Sequence, residues 1–232
     1  HDASRYRDEA LELANQAGDC VTSGKRPGPE GPVADLQAGL MRGWSGTALF
    51  YLRLHEHTSD PACLDLALRA VHRDLDQCIT NDDDALVIND RGVRGLPHIE
   101  AGGLGLALVV DEVLAHREDD RLREALPALV RAGLPQLTVR GDLLFGKAGQ
   151  LAALARLGAD DQLVQRRVDE LRRYLVPYRG HLALPSGRGF RLSMDLATGT
   201  AGALLALAVA RGGGSPFLPF FRTTPADMDL GG

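Results

Sequence analysis

Two histidines carry the acid–base chemistry that the sequence offers. His98 lies three residues before Ala101 and directly after Pro97, and an imidazole with an ordinary pKa near ~6.5 can take a proton from a thiol at neutral pH. It is also readable as a plain surface-loop histidine. His181, in a stretch of irregular pattern, is a second and weaker base candidate. Lys147 sits inside Gly146-Lys-Ala-Gly149, where its ammonium could hold a phosphate or a peptide carboxylate, or be a solvated loop lysine. The surrounding FGKAGQ lacks the glycine spacing and the following Ser/Thr of a Walker loop. Asp195 could orient a peptide or cap a helix start, and Thr198 is an equally simple cap candidate. Trp44 and Phe145 stand in or beside glycine loops, where aromatics line a cavity or pack into the core.

Other clusters point to little. His55 and His57 are two apart on a helix and so project about 200° apart, which does not suit a metal pair. Asp82 to Asp84, with Asn81, Asn89 and Asp90, lack the glycine and glutamate spacing of a calcium loop and read as solvated charge. Cys20, Cys63 and Cys78 form no CxxC, so they read as reduced thiols and point to a cytoplasmic protein.

The elements that must hold these residues are helices. Apolar positions recur every three or four residues, as in Leu64, Leu68, Val71, Leu75 and Ile79. Aromatics make up 5%, so the chain reads as all-α, with a short hairpin near Ala85 to Val93 and an irregular stretch near His181 to Phe190. A first helix is predicted over Asp2 to Gln16. Residues 1–35 then form an N-terminal helix and a Gly/Pro-rich loop, and 36–232 form the main domain. The chain begins with His, already in helical spacing, and reads as a piece of a longer protein.

The main signal is a repeat. Gly43-Trp-Ser-Gly46, Gly102-Gly-Leu-Gly105, Gly146-Lys-Ala-Gly149 and Gly199-Thr-Ala-Gly202 follow one another at intervals of 59, 44 and 53 residues. Each opens a helix of small apolar residues, and polar-faced helices lie between: Asp60 to Cys78, Arg121 to Arg131 and Asp160 to Tyr174. Helices apolar nearly all round must be buried, whereas amphipathic ones face solvent, so hairpins arranged as a ring, inner helix against outer, satisfy both. The glycines allow tight turns and close approach, or serve packing alone. Parallel inner helices would aim several positive dipole ends at one cavity, which would favour anions.

Composition closes off other classes. With 232 residues and 44% hydrophobic content the chain can bury a sizeable core. A net charge of −5 with scattered basic residues excludes a nucleic-acid partner, and no apolar stretch is long enough to serve a membrane.

From Leu36 to Pro219 the chain resembles the cyclase domain of lanthipeptide synthetases. The resemblance rests on Gly39-Leu-Met-Arg-Gly43-Trp-Ser-Gly46, Leu144-Phe-Gly146-Lys-Ala-Gly149 and Asp195-Leu-Ala-Thr-Gly199-Thr-Ala-Gly202, in this order. It implies an α/α toroid of seven hairpins, of which four are here, so the toroid is incomplete in this chain. Zinc-dependent members carry Trp-Cys-x-Gly and Cys-His-Gly motifs. Here those places read Leu143-Leu144-Phe145-Gly146 and Ala197-Thr198-Gly199, and Ala101 replaces a histidine before Gly102. Side chains of Leu, Ala and Thr are no substitute for thiolate and imidazole, so no metal is expected. This pattern resembles the zinc-free class III synthetases, in which lyase and kinase parts precede the cyclase part. The resemblance implies addition of Cys thiols to dehydroalanine or dehydrobutyrine in a precursor peptide. His98 and His181 are then the base candidates, and Trp44, Gly102, Phe145, Gly146, Lys147, Thr198 and Gly199 the substrate-facing set. No cofactor is expected in this domain; ATP and Mg belong to the kinase part. The partners implied are the precursor peptide and the kinase and lyase domains. An alternative is a catalytically empty toroid that positions the peptide for those domains. A hydrolase or terpene-type toroid would need paired carboxylates on the inner helices, and none stands beside the glycines.

Overall fold

The structure is a computed structural model that describes residues 3–25, 38–90, 92, 94–136, 138–185, 191–212 and 217–222. The boundary expected at 35/36 lies outside them. The described chain is mainly helical. Helix α1 (Ala3–Ser23) runs a full two turns past the predicted end before Gly24, at φ +75°, stops it. Helices α2 (Trp44–Thr58), α4 (Gly103–Leu114), α6 (Lys147–Arg156) and α8 (Thr200–Ala210) each start directly after a GxxG first glycine. Between them come α3 (Pro61–Leu75), α5 (Asp120–Arg131) and α7 (Asp161–Leu171).

The two sets begin differently. The outer helices α3, α5 and α7 are capped by Asp60, Asp119 and Asp160, whose side chains accept from the amides of Ala62, Leu122 and Leu163. The inner helices α2, α4, α6 and α8 have Gly43, Gly102, Gly146 and Gly199 at the cap, a residue with no side chain to do the capping itself. Burial follows the same division. Every residue of α4 from Gly103 to Val110, and of α6 from Lys147 to Leu154, is buried. By contrast α3 buries a single stripe through Cys63, Leu64, Ala67, Ala70, Val71, Asp74 and Leu75. Inner helices pack in sequence, α2 on α4, α4 on α6 and α6 on α8, while α3, α5 and α7 back α2, α4 and α6. One continuous apolar core runs through them, with Leu52, Leu104, Leu108 and Leu151 fully buried.

The connectors hold the strands. The hairpin expected near Ala85 to Val93 is a three-stranded antiparallel sheet: β1 (Cys78–Thr80), β2 (Leu86–Asp90) and β3 (Arg94–Leu96), with Cys78 opposite Ile88 and Ile88 opposite Leu96. The strand β1 follows α3 so closely that it reads as helix in the sequence. Val93 lies outside the described residues. The irregular stretch begins as a strand, because β4 (Val176–Tyr178) pairs with β5 (His181–Ala183). Its turn places Arg179 at φ +49° and Gly180 at φ +79°, a geometry that Arg does not advertise in a sequence. Residues 186–190 lie outside the described set. Among the described residues no helix is long and apolar enough to cross a membrane, and the three cysteines are free thiols.

Candidate functional site

The four glycine loops are copies of one eight-residue turn. Gly39–Gly46, His98–Gly105, Asp142–Gly149 and Asp195–Gly202 share an aliphatic residue at the second position and glycines at the fifth and eighth. The amide of Gly105 donates to His98 O, and that of Gly149 to Asp142 O, which folds each turn onto its helix. Both glycines are sterically required. A Cβ at Gly46, Gly105, Gly149 or Gly202 would fall under 3.0 Å from the carbonyl oxygen of Leu40, Ile99, Leu143 or Leu196, the second residue of the same turn. A Cβ at Gly43 or Gly102 would meet the backbone nitrogen of Gly39 or His98, and one at Gly146 or Gly199 the carbonyl of Arg140 or Ser193.

The third residue of each turn links the turns together. Met41 N donates to Glu100 O at 2.8 Å, Glu100 N to Leu144 O at 3.1 Å, and Leu144 N to Ala197 O at 3.1 Å. Equivalent atoms of four separate hairpins thus form one series. Beside it lies an apolar cleft of about 420 Å³, lined among others by Leu40, Met41, Leu49, Phe50, Leu144, Ala197, Phe220 and Phe221, so that the first, third and fourth turns stand in its wall and the second does not.

Carboxylates match most of the helix starts. Asp74, fully buried on α3, accepts from Gly39 N at 2.9 Å, Trp44 N at 3.0 Å, Ser45 N at 2.7 Å and the Ser45 hydroxyl, so an outer helix caps the start of α2. Burial pushes its carboxyl above the ordinary value, and these donors pull against that. Asp142 accepts from Phe145 N at 2.8 Å and Arg140 Nε at 2.5 Å. Asp195 accepts from Thr198 N at 2.6 Å, Thr198 Oγ1 at 3.0 Å and Ser193 Oγ, and the Ser193 hydroxyl first, then the Thr198 amide, hold it down to about 2. The expectation of an anion-favouring cavity is therefore corrected: three of the four starts already face a carboxylate, and the cleft beside them is apolar. Nor does Asp195 or Thr198 cap α8. Gly199 holds that place, and the two side chains bond each other in the turn before it.

The turn before α4 has His98 where two others have Asp142 and Asp195. His98 is half-buried, with the Phe145 ring 6.3 Å away, and the Arg140 guanidinium lies 4.2 Å from the centroid of that ring. Burial, then the charges of Arg94 and Arg140, lower its pKa from 6.5 to about 4, so the imidazole is neutral at pH 7. An unfolded chain takes up a proton between pH 6.5 and 4 that the folded chain refuses. Stability from this group is therefore complete above pH 6.5 and falls toward pH 4, by about 3 kcal/mol. Urea unfolding at pH 7.5 and 4.5 checks this: His98→Gln should remove about that much of the difference between the two.

The other expected residues are dispersed. Trp44 is the buried first residue of α2, with the Arg73 guanidinium 5.5 Å from its ring. Lys147 is fully buried and is no solvated loop lysine: its ammonium donates to Pro135 O at 3.2 Å, Gln136 O at 2.8 Å and Glu170 Oε2 at 3.0 Å, which uses all three protons. Gly102, Gly146 and Gly199 are the caps described above. His181 stands exposed in the β4–β5 hairpin, on a different connector from His98. Asp82, Asp83 and Asp84 are exposed, in a turn organised by Asn81 Oδ1, which accepts from Asp83 N and Ala85 N. His55 Nδ1 pairs with Asp60 O, and among the described residues no three His, Cys, Asp or Glu side chains are grouped to hold a metal. The sequence reading missed Asp74, the cleft residues Leu49, Phe50, Phe220 and Phe221, and the Arg42 Nε to Glu100 Oε1 pair at 2.6 Å that joins the first two turns. For the aligned turn positions a signal existed, since all four eight-residue strings carry an aliphatic residue second and glycines fifth and eighth.

Leu144 and Ala197, the places where the resemblance puts two cysteines, meet through the Leu144 N to Ala197 O bond and share the cleft wall, with Thr198 next in chain. They offer aliphatic groups and one hydroxyl, a donor set that does not fit zinc.

No family model matches the chain. The "Probable SapB synthase" of Streptomyces coelicolor is 41% identical to it over 191 residues, which is 79% of this chain and 20% of that protein. The chain thus spans about a fifth of the length of the curated relative it matches.

Proposed function

We propose that this chain is part of the cyclase-like region of a lanthipeptide synthetase, its hairpins forming part of an α/α toroid around a cleft that holds the precursor peptide. The similarity to a protein named as a synthase supports a peptide-modifying role. The observation that carries the reading is the bonded series Met41, Glu100, Leu144, Ala197, three of whose members, Met41, Leu144 and Ala197, line one apolar cleft.

Ring closure forms a bond between a Cys sulfur and the β-carbon of a dehydroamino acid. The alkene electron pair moves to the α-carbon, and the thiol proton ends there. We infer that this proceeds without zinc, because Leu144, Ala197 and Thr198 supply no ligand for it. Confinement in an apolar cleft brings thiol and alkene together and excludes water, and effective concentration alone is worth several kcal/mol. His98 is in the right protonation state to accept a proton, but at about 4 it is a weak base for a thiol. That weakness, with the carboxylates at three helix starts, favours a second reading: a scaffold that presents the peptide to kinase and lyase domains.

The test uses the full-length synthetase and a pre-dehydrated precursor, following loss of free thiol by alkylation and mass spectrometry. Ala197→Trp, which fills the cleft, should slow ring closure at least about ten-fold while phosphorylation and elimination of fresh precursor continue. Ring closure at the wild-type rate in that variant overturns the proposal. Equal loss of all three steps makes the scaffold reading the better one.

A further inference from the structure

Residues Phe217 to Arg222 return to the cleft. Phe217 is buried, Leu218 to Phe221 form part of the cleft wall, and the segment bonds to itself once, Phe221 N to Leu218 O at 3.2 Å. Its firm attachment is at Arg222, where two buried side chains take both backbone groups of one residue. Arg222 N donates to Glu112 Oε1 at 3.3 Å, and Arg156 Nη2 donates to Arg222 O at 2.7 Å. Glu112 is fully buried and the Arg156 side chain is 6% exposed.

The gripping pair does not depend on Arg222 for its own position. Arg156 Nη2 bonds Glu112 Oε1 at 2.7 Å, and Arg53 bonds Glu112 Oε2 at 2.5 Å while also pairing with Glu56 at 3.0 Å. The ends of α2, α4 and α6 therefore build a carboxylate and a guanidinium that take the N–H and the C=O of one residue, and the side chain of that residue adds a contact of its own, Arg222 Nε to the same Glu112 Oε1 at 3.3 Å. Beside them the Arg156 guanidinium lies 5.9 and 5.6 Å from the Phe217 and Phe221 rings, so aromatic residues just ahead of the gripped unit are accommodated. Arg222 Nη2 reaches Asp111 Oδ2 at 3.1 Å, which suits a basic residue at the gripped position. The present occupant is not relaxed: Phe220 sits at φ +72°, a left-handed conformation that bulky residues rarely adopt, with its side chain turned to solvent.

We propose that Glu112 and Arg156 form a backbone clamp for an apolar, turn-forming peptide, and that residues 217–222 fill it as an internal stand-in that an incoming peptide displaces. The proposal rests on the reading of the cleft as a peptide-holding site. It adds the clamp, the polarity of the preferred ligand, and a competing segment of the chain itself.

The probe is a fluorescein-labelled synthetic peptide of residues 217–222, titrated against the protein and its variants. Arg222→Glu sets a negative charge against Asp111 and Glu112 and should release the segment. That variant should bind the peptide at least about ten-fold more tightly than wild type, because occupancy by the internal segment lowers apparent affinity in proportion. Chymotrypsin should cut it after Phe220 or Phe221 faster by a similar factor. Arg222→Lys should stay close to wild type, and Phe221→Ala, which loosens the apolar end, should shift both readouts in the direction of Arg222→Glu. Unchanged affinity and unchanged cleavage in Arg222→Glu and Phe221→Ala overturn the clamp. If the synthetic peptide binds but a precursor peptide does not compete with it, the clamp stands and the cyclase reading fails. If precursor binds while the synthetic peptide binds no variant, the clamp fails and the cyclase reading stands.

Discussion

Gly105→Ala is expected to lower the melting temperature by about 10 °C, corresponding to a loss of about 3 kcal/mol or more for a chain of this size. At an ordinary exposed helical position the same change would stabilise by about 1 kcal/mol, because Ala is the better helix former. Here the added methyl would fall under 3.0 Å from Ile99 O, with Leu40 Cβ 3.1 Å away on the neighbouring turn. The obstacle is a backbone carbonyl, which cannot swing aside as a side-chain tip can. Gly158→Ala provides the contrast: at φ +74° with open space around it, that residue should cost only the backbone penalty of about 1–2 kcal/mol. Thermal melts of the two variants by circular dichroism decide the matter. A Gly105→Ala protein that melts within a degree or two of wild type would show that the turns are looser than their geometry implies.

The second large effect is expected from Asp74→Ala. That change strands the amides of Gly39, Trp44 and Ser45 and the Ser45 hydroxyl in a place that is fully buried, so water does not replace the lost acceptor. A buried unsatisfied donor costs about 1–3 kcal/mol, and shared relaxation makes the sum less than additive, so a loss of about 4 kcal/mol is expected. Asp74→Asn, which keeps the shape and one acceptor oxygen, should lose roughly half of that. Chemical denaturation gives both numbers. A loss below about 1 kcal/mol in Asp74→Ala would mean that the start of α2 finds other acceptors.

What could be read in the sequence was what sterics forces on it. A glycine under a carbonyl admits no other residue, so the four GxxG pairs stand out, and with them the starts of α2, α4, α6 and α8. The alternation of all-round apolar and amphipathic helices is likewise written in composition. Partnerships across the chain leave no such mark. Asp74 is separated from its Gly39 amide by 35 positions, and nothing in the string DLDQ at 74–77 says that it caps another helix. Lys147 looked like a loop lysine because its three acceptors come from a separate stretch of chain and from Glu170 on α7. Nothing in the string FLPFFR at 217–222 says what holds it, since its partners Glu112 and Arg156 lie 110 and 66 residues earlier.

The bonded series through the third residue of each turn has a consequence for how such a chain can change over time. Register between successive turns runs through their own backbone atoms, Met41 to Glu100 to Leu144 to Ala197, with the Arg42 to Glu100 side-chain pair beside the first of these bonds. The connectors are accordingly free to vary, and they do. One carries a three-stranded sheet, the next none among its described residues, and the third a two-stranded hairpin. Insertions and deletions should therefore accumulate between an outer helix and the following turn, while the eight-residue turns keep their length. A loop exchanged there, even for one twice as long, should leave the cleft wall where it was, which makes these connectors the natural places to graft new binding surfaces onto the helical core.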